Sequence, residues 1–377
     1  MKTHCLRLLA FLLLICATVR ADQPLVFISA FASGEKGAIH AFAFDPEKGS
    51  LEPLQRTTDI QNPFFLALSP DHRFLYATDA AHFGGPEDSR VASYAIAGRT
   101  GLLKRISEQS TRGTASCYLA VDATGGVVLA ANYSSGSVTS LAVQKNGMLQ
   151  AAASLIPHST GIANDKDVKE KANAHSIVVS PDNRFALAAD LGIDRILVYR
   201  LDSATGRLEP NSTQPFVSLP AGSGPRHLTF HPNGRRVYVI NEKLNTVTFF
   251  DYAAETATLT ARQTIPTLPA DFTGKSYCAD LKITPDGNFL YGTNRGHDTI
   301  AAYRIGEDGT LTLLGFEPSL GKGPQNLLIS PDGRWLLCAN MRGNNVAVFQ
   351  IEARSGKLTA ANAPAEMPSP SCIRWLP

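Results

Sequence analysis

Cysteine, tryptophan and runs of like charge are scarce in this chain, and each scarcity removes a class of protein. Six cysteines are present, none in Cys-x-x-Cys spacing, which excludes a disulfide framework and a zinc module. Cys117, Cys278, Cys338 and Cys372 are expected as buried free thiols, with room for one bridge in an oxidising compartment. No Lys/Arg-rich stretch occurs, and the formal net charge is only +2, so a nucleic-acid surface is not expected. The two tryptophans, Trp335 and Trp375, are not followed by aspartate, which argues against a WD-repeat scaffold. Charged residues make up 18% and hydrophobic residues 44%, values of a folded globular protein rather than a disordered one.

Only one long apolar run exists, and it lies at the N-terminus. Lys2 and Arg7 precede the unbroken stretch Leu8 to Ala17, and Val19-Arg20-Ala21 has small-x-small cleavage spacing. Residues 1–21 are therefore expected to be a secretory signal peptide, too short for a membrane span. Ile15 before Cys16 does not suit a lipoprotein signal. Removing Lys2, Arg7 and Arg20 with the leader leaves 32 basic against 33 acidic residues. The mature protein is expected to be exported, periplasmic or extracellular, monomeric and without stable membrane association.

What the chain does contain is a repeat. An apolar stretch, a Ser/Thr-Pro-Asp-Gly-like turn and a second apolar stretch ending in Asp or Asn recur six times. The copies start at Phe64, Cys117, His175, Arg226, Ala279 and Gln325. Proline presets φ for a tight turn, and Asp, Asn and Gly accept its remaining conformations. A third alternating stretch and a D-x-x-x-G-x-L turn follow each copy, giving four antiparallel strands per unit. That pattern predicts an all-β fold, a β-propeller. The N-terminal segment supplies three strands of a further blade, and Pro370 to Leu376 aligns with the missing first strand. The reading is a single seven-bladed propeller over residues 22–377, with one blade shared by the chain ends. The polar stretch from Pro157 to Ala172 interrupts the repeat and reads as a loop on the ligand-binding face.

The exceptions to the repeat locate a candidate site. Counting the composite blade as the first, the position six before the turn proline reads Ser371, Phe64, Cys117, His175, Arg226, Ala279 and Gln325. The next reads Cys372, Phe65, Tyr118, Ser176, His227, Asp280 and Asn326. A purely structural ring would use small or apolar residues there, because polar groups lining a closed channel are costly unless they bind something. The Asp or Asn ending the second strand repeats in nearly every blade and reads as turn capping. The position after it varies, and Glu242 and Arg295 stand out on neighbouring blades. His231, in place of the turn Ser/Thr, reads as structural.

The segments DLGIDR, GPRH, INEKL and NRGHD resemble the seven-bladed lactonase propeller family, which includes bacterial propeller-type 6-phosphogluconolactonases and fungal carboxy-muconate cyclases. The resemblance covers the whole mature chain. It implies a catalytic set of His175, Arg226, Glu242 and Arg295, the residues that also break the repeat. His227, Asp280, Gln325 and Asn326 are then expected to bind substrate. Family members usually carry Ala-Glu where this chain has Ala279-Asp280, His-x-His where it has Asn173-Ala174-His175, and Arg where it has Gln325. Fewer cations and an export signal both point away from a phosphorylated substrate.

The implied activity is lactone hydrolysis, with a sugar-class lactone as small-molecule partner and neither metal nor other cofactor. Arg226 and Arg295 would polarise the carbonyl, and His175 or Glu242 would act as base. Two other readings use the same residues: a cycloisomerase acting on carboxylated muconates, and a non-catalytic exported propeller that binds a ligand or partner. A calcium-dependent lactonase would need a cluster of carboxylate and amide oxygens, whereas this ring is cationic.

Overall fold

The computed structural model describes residues 23–159 and 171–377. The leader, and residues 160–170 of the polar stretch read as a loop, lie outside the described residues.

Seven antiparallel sheets of the expected order stand in a ring. Their innermost strands are Pro370–Leu376, Leu66–Leu68, Ser116–Val121, Ala174–Val179, Pro225–Phe230, Tyr277–Ile283 and Pro324–Ile329. Each contacts the next, and the last contacts the first. We number the blades 1 to 7 in that order. Blade 1 is the composite. The C-terminal Pro370–Leu376 pairs with Leu25–Ala30, from Leu25↔Leu376 to Ala30↔Pro370. The chain ends thus close the ring within one blade. The outer strand is broken in two blades, into Arg207–Pro210 and Phe216–Ser218 in blade 4, and Leu358–Ala360 and Ala365–Glu366 in blade 7. One 3-10 turn, Gly34–Lys36, is the only helical element among the described residues.

The repeated turn works through its side chains. Ser69 Oγ accepts the Phe74 N–H (2.9 Å) and donates to Asp71 (2.6 Å). The same pair of bonds recurs at Ser180, Thr284 and Ser330. The turn's fourth residue is left-handed, with φ of 59° at His72, 61° at Asn183 and 79° at Gly287. Blade 3 lacks the proline, and Asp122 Oδ1 takes over by accepting the Val127 N–H (2.8 Å). In blade 5, His231 Nδ1 accepts the Asn233 N–H (3.1 Å), a structural use of that ring.

Apolar residues cement the blades to one another. Leu66, Leu119, Ile177, Leu228, Leu281, Leu327 and Ile373 occupy equivalent inner-strand positions, and none is more than 3% exposed. Each such side chain stabilises the fold by roughly 1.5–3 kcal/mol relative to exposure. The four remaining cysteines are buried free thiols.

The inner strands carry one irregularity that matters for function. In blades 1, 3, 4, 5 and 7 the pairing register skips a single residue: Ser371, Cys117, His175, Arg226 and Gln325. In blade 6 the skip falls between Cys278 and Leu281. A β-bulge leaves its extra residue unpaired and re-aims its side chain. The bulged position is the one singled out by the repeat.

The turn glycines lock neighbouring blades. Gly356 has φ +74°, and a Cβ built there would lie 2.3 Å from the Phe289 ring of the adjacent blade. Gly98 has φ +57° with open space around it. Gly98→Ala should therefore cost only left-handed strain, about 1 kcal/mol. Gly356→Ala should cost about 1–3 kcal/mol more, because the ring must shift. Urea unfolding midpoints of the two variants check this, and equal losses would contradict the packing account.

Candidate active site

The bulges of blades 4 and 5 present His175 and Arg226 at the channel mouth, and the ends of the second strands of blades 5 and 6 present Glu242 and Arg295. Arg226 is 1% exposed. A buried guanidinium is tolerated only when its charge and its donors are met. Arg226 Nη1 donates to the Ala279 carbonyl of blade 6 and to His227 Nε2 (3.1 Å). Its Nε lies 2.8 Å from Glu242 Oε2, yet this N–H is not aligned on any acceptor. The contact is an ion pair by distance with a donor still available. Burial, and next the neighbouring Arg295, pull the Arg226 guanidinium down to about 10, so it remains charged at neutral pH.

Glu242 joins the two arginines. Arg295 Nη2 is also 2.8 Å from Oε2, so both guanidiniums converge on one carboxylate oxygen. Arg295 is fixed from behind by the carbonyls of Cys278 (2.9 Å) and Tyr277 (3.3 Å). Its Nη1 donates to Gln325 Oε1 of blade 7 (3.3 Å).

Behind this pair lies a relay of hydrogen bonds. Because Arg226 donates to His227 Nε2, the proton of that imidazole belongs on Nδ1, which donates to Asp280 Oδ1 (2.8 Å). Burial, then the Arg226 charge, lower His227 to about 3, so the ring is neutral. Burial alone would raise the Asp280 carboxyl. Lys282, the His227 bond and the Leu327 N–H outweigh it and hold the group well below the usual carboxylate range. Asn326 Nδ2 donates to Asp280 Oδ2 (2.6 Å), while Asn326 Oδ1 accepts the Ile373 N–H of blade 1 (2.8 Å). Asp280 and Asn326 are each 1% exposed and fully engaged with protein partners. The structure therefore places them, with His227, as support beneath the mouth. Gln325 sits at the mouth, on Arg295.

His175 comes to the same sector without touching Arg226 directly. Its ring packs edge-on against His227 (5.3 Å) and Tyr133 (5.4 Å). Desolvation, then Arg226, put its pKa well below the ordinary histidine value. Cys117 Sγ lies 3.6 Å from His175 Nδ1, which resembles a nucleophile–base pair. Burial pushes that thiol up to about 12, so it supplies no thiolate.

The Asp/Asn residues ending the second strands are structural. Asp190 Oδ1 accepts the backbone N–H groups of Asn173 and Gly192, and Asn294 and Asn340 donate to the carbonyls of Thr267 and Ser319. Among the described residues, no three His, Cys, Asp or Glu side chains cluster as metal ligands. Sequence reasoning missed Phe31. By register it is the blade 1 counterpart of Glu242, since Ala30 faces Pro370 as Asn241 faces Pro225. Ala30 stands where other blades have Asp or Asn, so the marker that would have flagged its neighbour is absent. Phe83 and His158, which pairs with the repeat residue Asp190 (2.7 Å), lie outside the repeat and gave no signal.

Comparison with known proteins identifies the family. The family model for the seven-bladed β-propeller lactonases matches residues 25–375. The 6-phosphogluconolactonase of Bacillus subtilis (strain 168) is 29% identical, over 93% of this chain and 97% of its own length. The enzyme of the same name from Formosa agariphila is 30% identical over 88% of this chain and 94% of its own. The structure of a Pseudomonas aeruginosa periplasmic gluconolactonase superposes with a TM-score of 0.86 at 30% identity, covering 94% of this chain and 99% of that one. The chain belongs to the seven-bladed β-propeller lactonase family.

Proposed function

We propose that this protein is an exported, monomeric lactonase that opens a sugar-class lactone to its hydroxy acid without a metal ion. The observation that carries the reading is the convergence of a buried and a partly buried guanidinium on Glu242 Oε2, beside a neutral histidine. The names of the relatives, 6-phosphogluconolactonase and periplasmic gluconolactonase, support the same class of reaction and, in one case, the same compartment.

In the proposed chemistry the lactone carbonyl oxygen lies against Arg226 and Arg295. Water adds to the carbonyl carbon while His175 takes its proton, and the oxyanion is held by the two guanidiniums. Collapse of the tetrahedral intermediate breaks the ring C–O bond, and the departing alkoxide takes the proton back from His175. Placing a proton on His175 beside Arg226 is unfavourable in the free enzyme. The developing oxyanion offsets the arginine charge, so imidazolium and oxyanion stabilise each other only as the reaction proceeds. Glu242 faces two cations, which makes it a weak base and a good positioner. The donor set suits this reading: the Glu242 carboxylate lies between two guanidiniums, whose charge repels a metal cation, and Asp280 is held by Lys282, His227 and Asn326.

Arg226→Ala should lower kcat/KM for lactone hydrolysis by about 10³-fold, the scale of removing an oxyanion donor. Arg226→Lys should recover little, because one ammonium cannot serve Ala279, His227 and substrate together. Unchanged kinetics in both would sink the assignment. A chelator should leave the rate unaltered, and loss of activity restored by calcium would overturn the metal-free chemistry. Muconate assayed beside the lactones should give no product.

The buried histidines also set the acid response. Below about pH 6.5 an unfolded chain protonates His227, whereas the folded one does not until about pH 3, so stability falls with pH. At pH 5 the loss from this group is about 2 kcal/mol. Asp280, whose carboxyl is also lowered, acts in the same sense but only below its unfolded value near 4, outside this window. Between pH 7 and 5, His227→Gln should lose about 2 kcal/mol less than the wild type in urea titrations. An identical pH slope would refute the shift.

A further inference from the structure

The channel mouth has two unlike halves. The ring of positions after the second strands reads Phe31, Ala80, Tyr133, Leu191, Glu242, Arg295 and Met341 through blades 1 to 7. The charged pair occupies blades 5 and 6. Across the ring, on blades 1 and 2, Phe31, Phe64 and Phe83 form one aromatic cluster. Phe31 meets Phe64 edge-on (4.9 Å) and Phe83 edge-on (5.0 Å), and Phe64 stacks on Phe83 (5.3 Å). Phe64 is the mouth residue of its inner strand, while Phe31 and Phe83 stay partly exposed. Met341 and Tyr133 flank the cluster on the same apolar body. Among the described residues no arginine or lysine packs over any of these three rings.

Resting on the lactonase reading above, we propose that Phe31, Phe64 and Phe83 form a specificity wall that selects an unphosphorylated lactone. The reacting carbonyl faces Arg226 and Arg295, the guanidiniums that converge on Glu242 at the mouth. The far side of the substrate then lies against the three rings. A C–H-rich ring face stacks favourably there and gains from apolar burial. A phosphate held against these ring faces, over which no guanidinium or ammonium packs among the described residues, would lose water without a charged partner there, which is unfavourable. Specificity here comes from what the wall cannot solvate as much as from what it contacts.

The test compares glucono-δ-lactone with its 6-phosphate as substrates, and gluconate with 6-phosphogluconate as ligands in calorimetry. The wild type should hydrolyse the unphosphorylated lactone with at least tenfold higher kcat/KM and bind gluconate more tightly. Phe31→Ala and Phe83→Ala should raise KM five- to twentyfold with kcat within threefold, and Phe83→Leu should fall between. Phe83→Lys should shift preference toward the phosphorylated pair. Preference of the wild type for the phosphate, or phenylalanine variants that behave as wild type while folded by circular dichroism, would overturn the wall. If neither lactone is hydrolysed, the proposed reaction fails. Calorimetry then decides the wall alone: weaker gluconate binding in Phe31→Ala upholds it, and unaltered or absent binding refutes it.

Discussion

A guanidinium buried to 1% exposure is the constraint on which the rest of this site depends. Removing such a charge from water costs several kcal/mol unless its donors and its field are met. The molecule meets it from blades 5 and 6. Ala279 and His227 accept from Arg226, Asp280 fixes the His227 tautomer, and Glu242 supplies the counter-charge. Lys282 and Asn326 then hold Asp280, and Asn326 reaches on to blade 1. A single buried cation thus recruits a chain of partners around half the ring, and that chain stiffens the part of the channel where the chemistry is placed.

The compensation is incomplete in one respect, and that gap suits a reaction. Arg226 Nε has no aligned acceptor, although Glu242 is near. A donor held in a water-poor site without a settled partner is preorganised for an oxygen that gains charge. The opposite half of the mouth presents the rings of Phe31, Phe64 and Phe83. Polarity on one side and rings on the other orient a substrate before any bond changes. The neutral state of His175 follows first from its burial and then from the same crowding of positive charge.

The fold was legible because its signal is repeated. Pro70, Pro181, Pro232, Pro285 and Pro331 mark turns whose side-chain bonds recur almost unchanged, and the aligned chain ends predicted the composite blade. The polar exceptions were legible by contrast with that repeat, and the structure gathers His175, Arg226, Glu242 and Arg295 into one sector. What those residues touch was not legible. Asp280 and Asn326 were read as substrate ligands, yet they bond each other across 46 residues of chain, and Asn326 bonds Ile373 a further 47 residues on. The bulges that aim the mouth residues are register events, and residue types alone do not announce them. Phe31 and Phe83 escaped because one lies in the blade that lacks the marker and the other in a loop outside the repeat.

The central claim is that Arg226 and Arg295 act as one unit on one oxygen. A double-mutant cycle on kcat/KM for lactone hydrolysis tests it directly. With Arg226→Lys, Arg295→Lys and the double variant, the account predicts strong non-additivity, the double variant losing little more than the worse single one. Losses that multiply would show two independent roles and contradict it.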